Sequence, residues 1–173
     1  MTRLVDALLG ELEQEAATTR RVLERVPYDR LGWKPHAKSM SLGQLALHVA
    51  SIPGMVAKFL SNDSLDIGGV SFDQPTARSA AELLPALDAS VKAAKDVLSG
   101  FDDRRAMATW RLTNGSKELL AAPRIAVART IMLNHWYHHR GQLAVYLRLL
   151  NVAVPSIFGP SADENPFAAP SPE

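Results

Sequence analysis

Residues 123–150 read PRIAVARTIMLNHWYHHRGQLAVYLRLL, and this stretch decides the fold. Pro123 suits the first turn of a helix, where no intrahelical N–H is needed. The helix is expected to run to about Leu150, before a tail from Val152 to Glu173 rich in Pro, Gly, Ser and Ala. Asn134-His135-Trp136-Tyr137-His138-His139-Arg140-Gly141-Gln142 places three histidines inside it. Residues four apart on a helix differ by only about 40° around the axis. His135 and His139 can therefore present two imidazoles to one ion. Ala128, Met132, Gln142 and Tyr146 fall close to the same direction, so the stripe is expected to face the protein interior. The spacing matches the two ligands of an H-E-x-x-H zinc helix, but no Glu stands between them, which excludes the metalloprotease reading. His138 points about 60° to the other side of His135.

Working outward, residues 2 to about 26 have helical periodicity, with Leu4, Leu8, Leu12, Ala16 and Thr19 near one face and Thr2 as cap. Glu11, Glu13 and Glu15 fall largely outside that face. Pro27 stops the helix, and a connector to about Met40 holds Gly32, Trp33, Pro35 and His36. Ser39 or Ser41 caps a second helix to about Leu60. On it Leu45, His48, Ile52, Met55 and Phe59 share a face. Pro53 frees the carbonyl of Val49 and kinks the axis, either as a tolerated kink or as an aid in aiming His48. Residues 61 to 78 read as a long loop. Ser79 caps a third helix, about 80 to 98, with Leu83, Leu84, Leu87, Val91 and Val97 as core candidates and Gly100 at its end. Ala106 to Leu112 and Lys117 to Leu120 flank the turn signal Asn114-Gly115. The expected architecture is all-α: a four-helix bundle with a short β-hairpin between helices three and four. One domain is expected over 1–165, with 166–173 disordered.

Composition narrows the function. Apolar residues make up 47% of the 173-residue chain and charged ones 21%, a globular balance. The formal net charge is +1, and the pairs Arg20-Arg21 and Arg104-Arg105 have acids close by, so no nucleic-acid partner is expected. The absence of cysteine excludes thiolate metal sites and cysteine nucleophiles, though not a thiol arriving as substrate. No apolar run is long enough to span a bilayer, and residues 1–6 do not read as a signal peptide. A cytoplasmic protein without membrane partners is expected.

The histidines carry the chemistry. A buried imidazole needs partners for its nitrogens, and two side by side call for a shared one. His48 supplies a third ring from another helix. Taken alone, it reads more often as a satisfied core histidine. Together His48, His135 and His139 form a three-ligand set with an open position, the catalytic kind of site. Imidazoles suit zinc, nickel, copper and iron, and one divalent ion, zinc or nickel foremost, is expected. His36 reads as structural. Asp63, Asp66, Asp73, Asp102 and Asp103 lie in or near loops, and whether one reaches the site stays open.

At these residues the sequence resembles the DinB family of metal-binding four-helix bundles. The likeness rests on Ser41-Leu42-Gly43-Gln44-Leu45-Ala46-Leu47-His48-Val49 and, more strongly, on Leu133 to Leu143. Tyr146-Leu147-Arg148 and Pro155-Ser156-Ile157-Phe158-Gly159-Pro160 extend it. The resemblance implies a triple-histidine metal site at His48, His135 and His139, frequent assembly as a homodimer, and kinship with metal-dependent thiol transferases and isomerases that use a low-molecular-weight thiol. The expectation is a small-molecule enzyme of thiol transferase, isomerase or hydrolase type. Asn134, Tyr137, His138, Arg140 and Gln142 are candidates to steady the ligands or touch substrate. The alternatives are a metal-stabilised stress-response or binding protein without turnover, and a dimerisation scaffold in which the metal is incidental.

Overall fold

The computed structural model describes residues 2–71 and 73–168. Helix α1 spans Asp6–Leu23, α2 Leu42–Leu60 and α3 Leu83–Ser99. A short α4, Asp103–Met107, precedes the strands. The last helical run has three parts: α5, Arg124–Val127; a π-helical segment, Ala128–Asn134; and α6, His135–Leu149. α2 packs on α3 and α6, while α1 packs on α3 and, less extensively, on α2 and α6. Leu12, Leu45, Ile52, Leu87, Leu98, Leu133 and Trp136 lie in the shared core, all at most 1% exposed.

Local chemistry explains the boundaries. α1 begins at Asp6, not near Thr2, because the Asp6 carboxylate accepts the backbone N–H of Arg3 and its guanidinium. Leu4 is left 45% exposed, outside the core it was expected to join. α2 opens with a capping box: Gln44 N donates to Ser41 Oγ and Ser41 N to Gln44 Oε1. The third helix enters through a 3-10 turn at Ala80–Glu82. At Gly54 the α2 backbone meets α3 so closely that a Cβ would lie 2.9 Å from the Cα of Ser90.

The expected hairpin is present as β2, Thr109–Asn114, against β3, Lys117–Pro123, with Gly115 at φ 57° in the turn. Two features depart from the expectation, one adding helix and the other a third strand. Residues 106 and 107 belong to α4, because Asp102 Oδ1 accepts the N–H of Arg105 and starts a helical turn. The loop after α2 contributes β1, Ser64–Asp66, parallel to β2, making a three-stranded sheet. Asp66 Oδ1 secures it by accepting the N–H groups of Gly68 and Gly115.

The tail packs as far as Glu164, and residues 165–168 are exposed. Val154 is 9% exposed, and the Asp163 and Glu164 carboxylates pair with Arg148 and Arg21 while accepting Val154 N and Ser156 N. Residues 169–173 of the expected disordered tail lie outside the described residues.

Candidate metal centre

The site forms where α2 meets the last helical run. Pro53 removes the donor that the Val49 carbonyl would otherwise receive. The indole Nε1 of Trp136 fills that place, donating to Val49 O at 2.7 Å. Val49 follows His48 and Trp136 follows His135, so this one bond sets the two imidazoles side by side.

The π segment sets their tilt. Arg124, Ala128, Met132, Trp136 and Arg140 are all buried, at uniform steps of four. On an unbroken α-helix each step drifts about 40°, or roughly 160° over four steps. A π turn, with its i→i+5 bonding, takes up part of that drift. The buried stripe therefore differs from the expected one. Ala128 and Met132 are in the core, Gln142 is exposed, and His135 and His139 are half-buried at the stripe's edge.

The three rings pack edge to face or tilted. Centroids lie 5.3 Å apart for His48–His135, 4.6 Å for His48–His139 and 4.5 Å for His135–His139. One nitrogen from each can be chosen so that all three lie within 4.8 Å of one another. Among the described residues this group contains the three histidines alone, without a carboxylate. The loop acids are engaged elsewhere. Asp63 pairs with Arg124, Asp73 accepts from Ser71, Asp102 caps α4, and Asp103 accepts the N–H of Leu4.

Burial, followed by the nearby charges of His139 and His135, depresses the His48 pKa to about 4. Burial also lowers His135 and His139. All three rings are thus held neutral, with lone pairs available, at neutral pH. Each also has a hydrogen-bond partner besides its neighbours. His139 Nδ1 lies 2.8 Å from Gln142 Oε1, His135 bonds the backbone of Ile131, and His48 bonds the side chain of Gln74. Gln74 comes from the loop between β1 and α3. Its carbonyl accepts from Gln44 Nε2, so the residue that caps α2 also anchors this loop. A glutamine in a loop carries no sequence signal, and reading the chain alone misses it.

The other candidates divide. His138 is exposed beside His139, 4.9 Å between centroids, and its Nε2 lies 3.0 Å from Gln142 Nε2. Asn134 is exposed at the end of the π segment. Tyr137 and Arg140 turn away from the triad towards α1. Tyr137 donates its hydroxyl to Glu11 at 2.6 Å, and Arg140 pairs with Glu15. His36 is exposed in the connector, its Nδ1 accepting the N–H of Lys38. Trp110 and Trp136 are at most 2% exposed and offer no surface for association.

A family model described as the DinB family matches residues 1–166. An uncharacterized protein of Bacillus subtilis (strain 168), YrdA, is 26% identical over 170 residues, covering 95% of this chain and 93% of that one. Two solved structures share the fold. A DinB-like protein from Bacillus cereus ATCC 10987 superposes with a TM-score of 0.70 at 21% identity, covering 91% of this chain and 100% of that one. A second from Bacillus subtilis, YjoA, gives 0.64 at 16% identity, covering 84% and 93%.

Proposed function

The chain belongs to the DinB family, and from that premise we propose that it is a divalent-metal protein whose His48, His135 and His139 hold one ion for chemistry on a small molecule. The carrying observation is three neutral imidazoles from two helical segments with ligand atoms within 4.8 Å of one another. Two nitrogens bound to one tetrahedral ion at about 2.1 Å sit about 3.4 Å apart, so the donor set fits zinc or nickel after small side-chain rotations. We read the helical packing as a four-helix bundle of the family's type, with the sheet as an addition at one end.

When bound, such an ion acidifies a thiol or water at its open position and so supplies a nucleophile. The chain's own residues perform the rest. Burial keeps the three rings unprotonated and ready to bind. Their place at the edge of the core leaves the site reachable from solvent. Exposed Asn134, His138 and Gln142 stand beside it as candidate contacts for an incoming molecule. With no cysteine in the chain, a thiol would arrive as a low-molecular-weight co-substrate. Transfer or isomerisation by that thiol is the favoured reaction class, with hydrolysis by water as the variant. A homodimer would use the exposed apolar side of α6, where Val145 is 58% and Leu149 56% exposed.

The lack of a carboxylate in the group favours, as a second reading, a metal-stabilised binding or stress-response protein without turnover. Elemental analysis of the purified protein beside His48→Ala and His139→Ala tests the site. About one equivalent of metal in the parent, lost in both variants, is expected. A parent that cannot be loaded would sink the metal reading. Thiol-transfer assays on loaded protein then separate an enzyme from a binding protein.

A further inference from the structure

A neutral imidazole has one N–H and one lone pair, and whatever accepts the N–H decides which nitrogen is left to bind. We propose that Gln142 is a positioning residue that sets the tautomer of His139, holding one ring N–H so that the other nitrogen faces the ion. This inference rests on the metal reading of the triad.

The geometry around Gln142 is specific. Its Oε1 lies 2.8 Å from His139 Nδ1 and its Nε2 3.0 Å from His138 Nε2. An amide carries an acceptor at one end and donors at the other. With oxygen towards His139, Nδ1 bears the proton and Nε2 keeps its lone pair. Turned over, the amide would donate to Nδ1 and drive the proton onto Nε2, the nitrogen needed for binding. In the observed orientation His138 Nε2 accepts from the Gln142 amide nitrogen, whereas the turned amide would require that ring nitrogen to carry the proton. One tautomer of the triad thus depends on a side chain outside it.

Zinc titration against a chromophoric chelator, paired with long-range proton–nitrogen NMR of the metal-free protein near pH 7.5, tests this. In the parent, His139 should be protonated at Nδ1 alone. Gln142→Leu should mix the two tautomers and weaken zinc binding about 10- to 100-fold. Gln142→Glu keeps an acceptor for the His139 N–H and should hold zinc more tightly than Gln142→Leu, within about tenfold of the parent. Unchanged thermal midpoints of the metal-free variants would set aside a merely structural effect. Parental affinity in Gln142→Leu, or Gln142→Glu binding as weakly as Gln142→Leu, would overturn the proposal. A parent that takes up no zinc would instead overturn the metal reading, while the NMR arm would still decide whether the glutamine fixes the ring.

Discussion

His48 shows how burial keeps a common side chain neutral and its lone pair free. Its pKa of about 4 in the folded protein lies below the ordinary 6.5. Between those values the unfolded chain takes up a proton that the folded ring refuses. Folding stability of the metal-free protein should therefore be complete above pH 6.5 and decline as pH falls towards 4. At about 1.4 kcal/mol per pKa unit, with allowance for partial solvent contact, His48 accounts for on the order of 2–3 kcal/mol. His135 and His139 act in the same direction. Urea denaturation at several pH values, compared with His48→Gln, isolates this contribution, because the carboxylates titrate in both proteins. A parent and variant with parallel pH profiles would show that His48 is not depressed. The convergence of the three histidines was legible in the sequence, since a four-residue step and an apolar face are local properties. Their surroundings were less so. Gln142 was in view through its helical position, whereas Gln74 is brought in by loop closure, which has no periodicity to read.

At the scale of the element, Pro53 and Trp136 are one device. The sequence shows that Pro53 orphans the Val49 carbonyl, but it does not say who satisfies it. The answer is an indole 87 positions away, with Nε1 2.7 Å from the oxygen. A buried carbonyl left unpaired costs about 1–3 kcal/mol. Trp136→Phe should lose that amount in addition to some packing. Pro53→Ala restores a backbone donor for Val49, so Trp136→Phe should cost about 1 kcal/mol less in that background. Denaturation midpoints of the four proteins give the coupling, and equal losses in both backgrounds would mean that the bond carries none. The same limit on local reading explains the strands. Asn114-Gly115 announces its hairpin through turn chemistry, whereas β1 joins β2 across a long stretch of chain and leaves no mark of its own. The π segment is hidden for a related reason. Periodicity assumes a constant turn, and the steps of four from Arg124 to Arg140 become a single buried stripe only because the turn widens.

For the molecule as a whole, the question is how α1, which holds none of the three clustered histidines, is held against the helix that holds two. The link is ionic. Arg140 is 1% exposed with Nη2 2.5 Å from Glu15 Oε2, and its Nη1 donates to the Glu15 carbonyl at 3.2 Å and Thr19 Oγ1 at 3.1 Å. The rings of Tyr137 and Phe158 flank its guanidinium, so the C-terminal segment joins the same arrangement. Glu11 adds a second link by accepting from Arg129 and Tyr137, which hold its carboxyl below the usual range. From the sequence alone Glu15 belongs to the solvent face of α1. It is buried because Arg140, one residue past His139, reaches it. Removing one partner from such a pair leaves an uncompensated buried charge, which costs about 3–5 kcal/mol, whereas replacing both with apolar residues is often neutral. Arg140→Met should therefore destabilise the metal-free protein by about that amount, and adding Glu15→Leu should recover most of it. Zinc affinity, measured well below the thermal midpoint, should be nearly unchanged in the double variant, because the pair lies on the α1 side and the triad on the α2 side. Recovered stability with lost zinc binding would show instead that the ion pair sets the height of α6 and, through it, the distance between His139 and His48.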